Sequence, residues 1–333
     1  VTTDEPQVSV DQVTARFGRT TILDGISLCA PAGLVHVLLG HNGAGKSTLL
    51  KMVSTSIRPK RGRISVQGLD TVADRRRVRQ RIALVRQEVQ LDLDASGLDN
   101  IRLQARLLGH DGPGLGRRCR EILASVGLEE DSDKLVRVYS GGMRRKLDIV
   151  LALVGAPSVL LLDEPTVGLD PESKYQVWEL IRRISTEGRT VLMSTQQLDE
   201  AQALADHISL LSQGRLVVSG SVHEIRASVG RRRVEVLLQQ ARHAQDARCL
   251  LRAHGYEDID VVDTVRLTGT SVSEDDVHRC ARLLQEAGVL CKSVSIHPPS
   301  ISDVYSHYGY GGRVTGEQED PHGDRPELIH SEA

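Results

Sequence analysis

The apolar positions of the first 230 residues fall into two rhythms. Short, nearly unbroken apolar runs, Leu34 to Leu39, Ile82 to Val85, Val159 to Leu162 and Thr190 to Ser194, have the length and composition of strands buried on both faces, as in a parallel sheet. Between them the spacing becomes helical. Ser47 to Ser54 follows the first run, and Pro171 to Ser185 joins the third to the fourth. Gly141 to Leu153 sets Met143, Leu147, Val150, Leu151 and Val154 on one side. Ile101, Leu103, Leu107 and Leu108, then Ile122, Leu123 and Val126, predict two more helices between Gly97 and Gly127, broken at Asp111-Gly112-Pro113-Gly114. Val8 to Val13 and Ile22 to Leu28 alternate loosely and predict a small antiparallel layer. Arg63 to Gln67 and Ile82 to Val85 are further strands flanking an Arg-rich helical turn. Alternating strand and helix predicts a parallel α/β sheet with a helical insertion.

After about Val229 the rhythm changes. Arg233 to Leu238 predicts a strand, Ala241 to His254 a helix, and Asp258 to Val262 with Thr264 to Thr268 a hairpin. Glu274 to Ala287 is a further helix and Val289 to Ile296 a last strand. The order β-α-β-β-α-β is the ferredoxin-like pattern. These shifts predict one domain over residues 6–229, a small α+β accessory or regulatory domain over 230–310, and a tail over 311–333. The tail holds six acidic and two basic residues among Gly, Pro and His, a composition that predicts a disordered acidic segment.

Composition narrows the class. With 40% hydrophobic and 26% charged residues in 333, the chain reads as soluble and globular, and 2% aromatics leave its core to Leu, Val, Ile and Ala. A formal net charge of −2 argues against binding polyanions through overall charge. The Arg75 to Arg81 and Arg231 to Arg233 clusters read as solvated faces, so no nucleic-acid partner is expected. The longest apolar run, Ile149 to Leu162, is interrupted by Gly155, Pro157 and Ser158 and is too short to span a bilayer. Val1 to Gln7 has no apolar signal core. If the protein serves a membrane, it is expected to lie peripherally on the cytoplasmic face, with the membrane path in another chain. Five cysteines, an odd number without a Cys-x-x-Cys pair, suit a reducing compartment and argue against zinc.

Chemistry enters at Gly40-His41-Asn42-Gly43-Ala44-Gly45-Lys46-Ser47, which fits G-x-x-x-x-G-K-[ST] between a predicted buried strand and a helix. Glycines let backbone N–H groups face phosphate oxygens, and the helix N-terminus adds partial positive charge. Lys46 is expected to bridge the β- and γ-phosphates of ATP and Ser47 to ligate Mg²⁺. Asp163 ends an apolar strand, where its carboxylate emerges at the sheet's carboxyl edge and would hold Mg²⁺ directly or through water. Glu164, the next residue, points differently and is the candidate general base for an attacking water.

Gly40 to Thr48, Ser140-Gly141-Gly142-Met143, Leu160 to Pro165 and Gly168-Leu169-Asp170 occur in the order and approximate spacing of the ATPases of ABC transporters, and residues 6 to 230 resemble that family. The resemblance implies a P-loop NTPase fold of the ABC ATPase type and ATP with Mg²⁺ as ligands. Gly40, Asn42, Gly43, Ala44, Gly45, Lys46, Ser47 and Thr48 then form the phosphate loop. It also implies that Phe17, the only Phe, stacks on adenine, and that Gln87 senses Mg²⁺ and touches a membrane partner. By the same resemblance, Ser140, Gly141 and Gly142 would form a signature that reaches the γ-phosphate held by a second copy, and Asp170 would cross the dimer interface. Two positions depart from the general pattern: the signature begins at Tyr139 and ends at Met143 instead of Leu and Gln, and Gln196 stands where the switch His is usual. With Pro299-Ser300-Ile301-Ser302-Asp303-Val304-Tyr305, these departures are similar to the daunorubicin-resistance group of exporter ATPases, which pair with a separate integral membrane permease. The implied function is ATP-driven export, most simply of a drug or other hydrophobic compound. Two alternatives are weaker. A soluble ABC ATPase acting on nucleic acid or ribosomes usually carries two cassettes or a coiled-coil insertion, and this chain has one phosphate loop. A drug-sequestering self-immunity protein fits poorly with so few aromatics.

Overall fold

The computed structural model describes residues 6–228, 232–263, 265–271, 276–297 and 299–309. The chain opens with the antiparallel pair β1 (Val8–Phe17) and β2 (Thr20–Ala30), then β3 (Val35–Leu39) and α1 (Lys46–Val53). The strands β4 (Arg61–Val66) and β5 (Leu69–Asp70) precede α2 (Arg75–Arg79) and β6 (Ile82–Val85). Three helices follow: α3 (Gly97–Leu107), α4 (Leu115–Ala124) and α5 (Gly141–Leu153). The alternation resumes with β7 (Val159–Asp163), α6 (Pro171–Thr186), β8 (Thr190–Thr195), α7 (Leu198–Leu204), β9 (His207–Ser212), β10 (Arg215–Ser221) and α8 (Val222–Ser228). The last part holds β11 (Arg232–Leu238), α9 (Ala244–Ala253), β12 (Glu257–Val261), β13 (Arg266–Ser271), α10 (Asp276–Glu286), β14 (Cys291–His297) and α11 (Ile301–Gly309).

The six-stranded sheet has the order β10-β9-β3-β8-β7-β6, parallel except for the β9–β10 hairpin at its edge. Every residue of β3, β7 and β8 is buried, because both faces of the sheet are covered. Side chains alternate between two cores. Val35, Val37, Leu39, Leu160, Leu162, Val191 and Met193 face the cluster built with α3 to α7. Leu38, Leu161 and Leu192 face the cluster shared with α1 and the antiparallel sheet β2-β1-β4-β5. The predicted sheet, antiparallel layer and helical insertion are therefore all present. Strands β1 and β2 run further than the alternation suggests, since register shifts after Val10 interrupt its period without ending the pairing.

The third sheet, β12-β13-β11-β14, is antiparallel throughout and packs its own core with α9 and α10. The predicted helix at Ala241 to His254 divides into a short 3-10 turn, Ala241–His243, and α9. Residue 264 of the expected hairpin, Arg231, Glu274 and the expected tail 311–333 lie outside the described residues.

Helix α11 is not legible in the spacing, and it does not stay with the third sheet. Ile301 and Val304 are buried in the core of the six-stranded sheet, with Tyr305 and Tyr308 packed against it, and the helix rests on α7, α8 and β10. The expected domain over 230–310 thus gives its last helix to the first body.

One buried polar group in β3 carries a pH consequence. His36 is 0% exposed, and its Nε2 meets Ser209 Oγ at 2.8 Å, which in turn meets Ser219 Oγ at 2.7 Å. The ring of His207 lies 5.8 Å away. Burial first, then the neighbouring His207, pushes the His36 pKa down to about 3. As pH falls through 6.5 the unfolded chain takes a proton that the folded chain refuses, so the His36 contribution to stability falls with pH, its slope approaching about 1.4 kcal/mol per pH unit. Chemical denaturation between pH 6.5 and 5 should show a slope smaller in His36→Gln than in the wild type, by about half a proton at pH 6.5 and approaching one proton at pH 5. Identical slopes would mean that His36 does not resist protonation.

Candidate functional site

The turn from β3 into α1 is shaped by glycine at position 45. Its φ is +101°, and a Cβ there would come within 2.4 Å of Leu23 Cδ2. Both facts demand glycine where the loop tightens before the helix. Lys46 opens α1 with its side chain folded back over the loop. Its Nζ donates to Gly40 O at 2.7 Å and His41 O at 3.1 Å, and lies 3.6 Å from Glu164 Oε1. Lys46 is only 4% exposed, and burial pulls its pKa down, an effect that Glu164 partly opposes.

Strands β3, β7 and β8 end side by side, which brings Asp163, Glu164 and Ser194 against Lys46 and Ser47 at the start of α1. Asp163 Oδ1 accepts from Ser47 Oγ at 2.8 Å and from Ser194 Oγ at 2.6 Å. Glu164 has a φ of +46°. That left-handed conformation costs a non-glycine residue about 1–3 kcal/mol and marks a position held by its surroundings. Here the hold comes from β8: Glu164 N donates to Ser194 O at 3.1 Å and to Ser194 Oγ at 3.1 Å. The kinked backbone sends the Asp163 and Glu164 carboxylates to different partners, Ser47 and Lys46.

A hydroxyl and a carboxylate facing each other are hard oxygen donors suited to Mg²⁺. Among the described residues no three His, Cys, Asp or Glu side chains converge on a metal. A cation held by Ser47 and Asp163 would therefore draw its remaining ligands from phosphate and water, the habit of Mg²⁺ in nucleotide sites. The donor set fits that ion.

Among the described residues, none of the other expected side chains is hydrogen-bonded to this cluster. Phe17 is 55% exposed at the end of β1, and Gln87 and Gln196 are exposed just beyond β6 and β8. Ser140 is exposed and caps α5, its Oγ accepting from Met143 N at 3.1 Å, which leaves its own O–H free to donate elsewhere. Asp170 caps α6 through Ser173 N and Ser173 Oγ, at 2.9 and 2.7 Å, and these bonds pull its pKa down. The first turns of the two helices pack closely: a Cβ on Gly142 would lie 2.4 Å from Ser173 Oγ. The segment Ser140 to Gly142 and the start of α6 therefore pack against each other as one continuous surface within this chain.

Tyr139 explains its own departure from the usual Leu. It is buried, and its hydroxyl donates to Asp131 O at 2.6 Å beneath the first turn of α3. A Cβ on Gly97 would meet that hydroxyl at 2.4 Å, so the phenol and the glycine are matched. Gly97→Ala should cost about 1–3 kcal/mol by overpacking. The same change in a Tyr139→Leu background should cost only a fraction of this. Thermal midpoints of the four proteins measure the coupling, and additive effects would refute it.

Three neighbours of the site escape a reading of the sequence. Ser194 is visible there only as the end of an apolar run. Glu200 in α7 is fully buried, where its carboxylate accepts from Thr166 Oγ1 at 2.7 Å and Trp178 Nε1 at 3.2 Å, and burial pushes its pKa up. Arg145 in α5 is buried as well. The available signal is a charge at helical spacing among apolar positions, easily read as a solvated side chain.

The sequence profile of the ABC transporter family matches residues 23–167. A daunorubicin resistance ATP-binding protein, DrrA3 of Streptomyces coeruleorubidus, is 40% identical over 304 residues, covering 90% of this chain and 95% of that protein. A doxorubicin resistance ATP-binding protein, DrrA of Mycobacterium tuberculosis, is 33% identical over 91% of this chain and 93% of its own length. Among solved structures, cbiO1 from Clostridium perfringens, part of the ABC transporter complex cbiONQ, superposes with a TM-score of 0.61 at 28% identity, covering 67% of this chain and 92% of that one.

Proposed function

The chain belongs to the ATP-binding proteins of the ABC transporters, and from that premise we propose that it drives drug export through a permease encoded as a separate chain. The observation that carries the ATPase part is the meeting of Lys46, Ser47, Asp163 and Glu164 at the carboxyl ends of β3 and β7. Lys46 would hold the β- and γ-phosphates of ATP, with Gly40, Asn42, Gly43, Ala44, Gly45 and Thr48 completing the loop and Phe17 against adenine. Ser47, Asp163 and Gln87 would hold Mg²⁺, which when bound neutralises phosphate charge. Glu164 orients a water and takes its proton. Ser140, Gly141 and Gly142 would reach a nucleotide on a second copy of this chain, with Asp170 beside them, so that two copies close around two ATP.

The relatives named for daunorubicin and doxorubicin resistance span nearly the whole chain, which supports a hydrophobic drug as cargo. Among the described residues no helix is long and apolar enough to cross a membrane, so the export reading gives the membrane path to a separate permease, and its need for ATP puts this chain at the cytoplasmic side. We read residues 6–229 together with α11 as the nucleotide-binding domain and the third sheet as an accessory domain. The strand order β12-β13-β11-β14, threaded β-α-β-β-α-β, supports a ferredoxin-like reading of the latter.

Cells making this chain with its permease should hold less daunorubicin than cells making either alone, and the difference should vanish on ATP depletion. Equal retention in all three would sink the export reading, and drug bound tightly by the purified chain alone would favour sequestration. Gln196, exposed at the end of β8, can donate an amide hydrogen to phosphate but cannot become cationic. Turnover should therefore fall more in Gln196→Ala than in Gln196→His, and only the His variant should gain a titration near pH 6.5. Equal rates and pH profiles in all three proteins would remove Gln196 from the reaction.

A further inference from the structure

The loop after β6, residues 86–90, carries Gln87 and is hydrogen-bonded at both ends by one face of α5. Arg145 lies one turn past the Ser140 cap, with its side chain 4% exposed. Its guanidinium donates to two successive loop carbonyls, Arg86 O at 2.7 Å and Gln87 O at 2.5 Å. It also reaches Asp148 Oδ2 at 3.3 Å, one turn further along the same face. The Asp148 carboxylate accepts from the backbone N–H of Gln90. One buried ion pair thus grips the loop at both ends, at the carbonyls of 86 and 87 and at the amide of 90.

The choice of residue follows from the geometry. Two adjacent carbonyls and a carboxylate call for several donors in a fixed plane, which a guanidinium presents and an ammonium does not. A charge buried this deeply is tolerated because it is paired and hydrogen-bonded. At its N-terminus the same helix carries Ser140, Gly141 and Gly142 and abuts Ser173 at the start of α6. Arg145 therefore lies on a continuous path from the segment that meets a second copy to the loop that carries Gln87.

We infer that Arg145, braced by Asp148, is a positioning residue that ties the Gln87 loop to α5, so that seating of the Ser140 to Gly142 segment on a partner sets where Gln87 stands. This deepens the ATPase reading and rests on it. Arg145 touches no reacting atom and acts only through the loop.

The test is a double-mutant cycle on the full chain, measuring steady-state hydrolysis against ATP and against Mg²⁺. Arg145→Met should lower kcat by about tenfold or more, raise the Mg²⁺ concentration needed for half-maximal rate severalfold, and change KM for ATP by less than threefold. Arg145→Lys should recover part of the rate. In a Gln87→Ala background, Arg145→Met should add less than a threefold further loss, because the loop then has nothing to deliver. Independent, multiplying losses would overturn the inference, as would a Gln87→Ala protein as active as the wild type. Arg145→Met leaves Asp148 unpaired, so Arg145→Met with Asp148→Leu separates folding from positioning. If that protein regains the wild-type thermal midpoint and stays slow, the inference stands. If activity returns with stability, Arg145 is merely structural. A wild-type chain that does not hydrolyse ATP would overturn the ATPase reading, and with it the inference.

Discussion

Glu164→Gln should abolish most ATP hydrolysis, by about 10²- to 10⁴-fold, the usual reach of general-base catalysis, while ATP still binds. The side chain keeps its size and one acceptor oxygen but can no longer take a proton. Its position is set by the backbone, not by its charge, because the left-handed turn is fixed by two hydrogen bonds to Ser194. The substitution should therefore leave the loop and Asp163 in place. With the products not formed, two copies should remain closed on ATP. Phosphate release gives the rate, and size-exclusion chromatography with MgATP gives the dimer. Hydrolysis within threefold of wild type would exclude Glu164 as the base. Failure both to retain ATP and to dimerise would remove the closed-dimer mechanism.

Lys46→Met should act at the opposite end of the cycle, on binding. The ammonium is nearly enclosed, committed to the loop carbonyls of Gly40 and His41, and 3.6 Å from Glu164. Methionine keeps the packing of the stem and removes the charge. A charge-assisted hydrogen bond of about 1.5–3 kcal/mol corresponds to a loss of roughly 10- to 150-fold in ATP affinity. The Glu164 carboxylate is also left without its cation beside incoming phosphate, which adds repulsion. Titration with a fluorescent ATP analogue measures the loss, and an affinity within threefold of wild type would contradict this role.

Much of the site is legible in the sequence because its chemistry is carried by short segments with fixed backbone shapes. The spacing of glycines from Gly40 to Gly45 is by itself the mark of a tight loop. The apolar run ending at Asp163 says where a carboxylate must emerge. What stays hidden depends on contacts between distant segments. Arg145 meets a loop nearly sixty residues away in sequence, and no local period reveals that meeting. Glu200 looks like any acid in the first turn of a helix until α6 and the Thr166 turn close over it. Tyr139 is visible as a departure, but its reason is Gly97, a pairing that only packing displays. In the last third, the order of strands and helices along the chain is legible, whereas the shared core of α11 is not. Its nine residues are too few for their period to say which body they join.

That return of α11 changes how the accessory unit is joined to the rest. Its entry and exit lie close together, because Arg233 at the start of β11 pairs with His297 at the end of β14. The third sheet is therefore spliced into the chain like a cassette, anchored at both seams, and not hung from its end. Truncation at residue 229 would strip Ile301 and Val304 from the core they complete and would confound loss of the cassette with damage to its socket. Excising 232–297 and rejoining the seams with a short flexible bridge would remove the cassette and leave α11 in the core it completes.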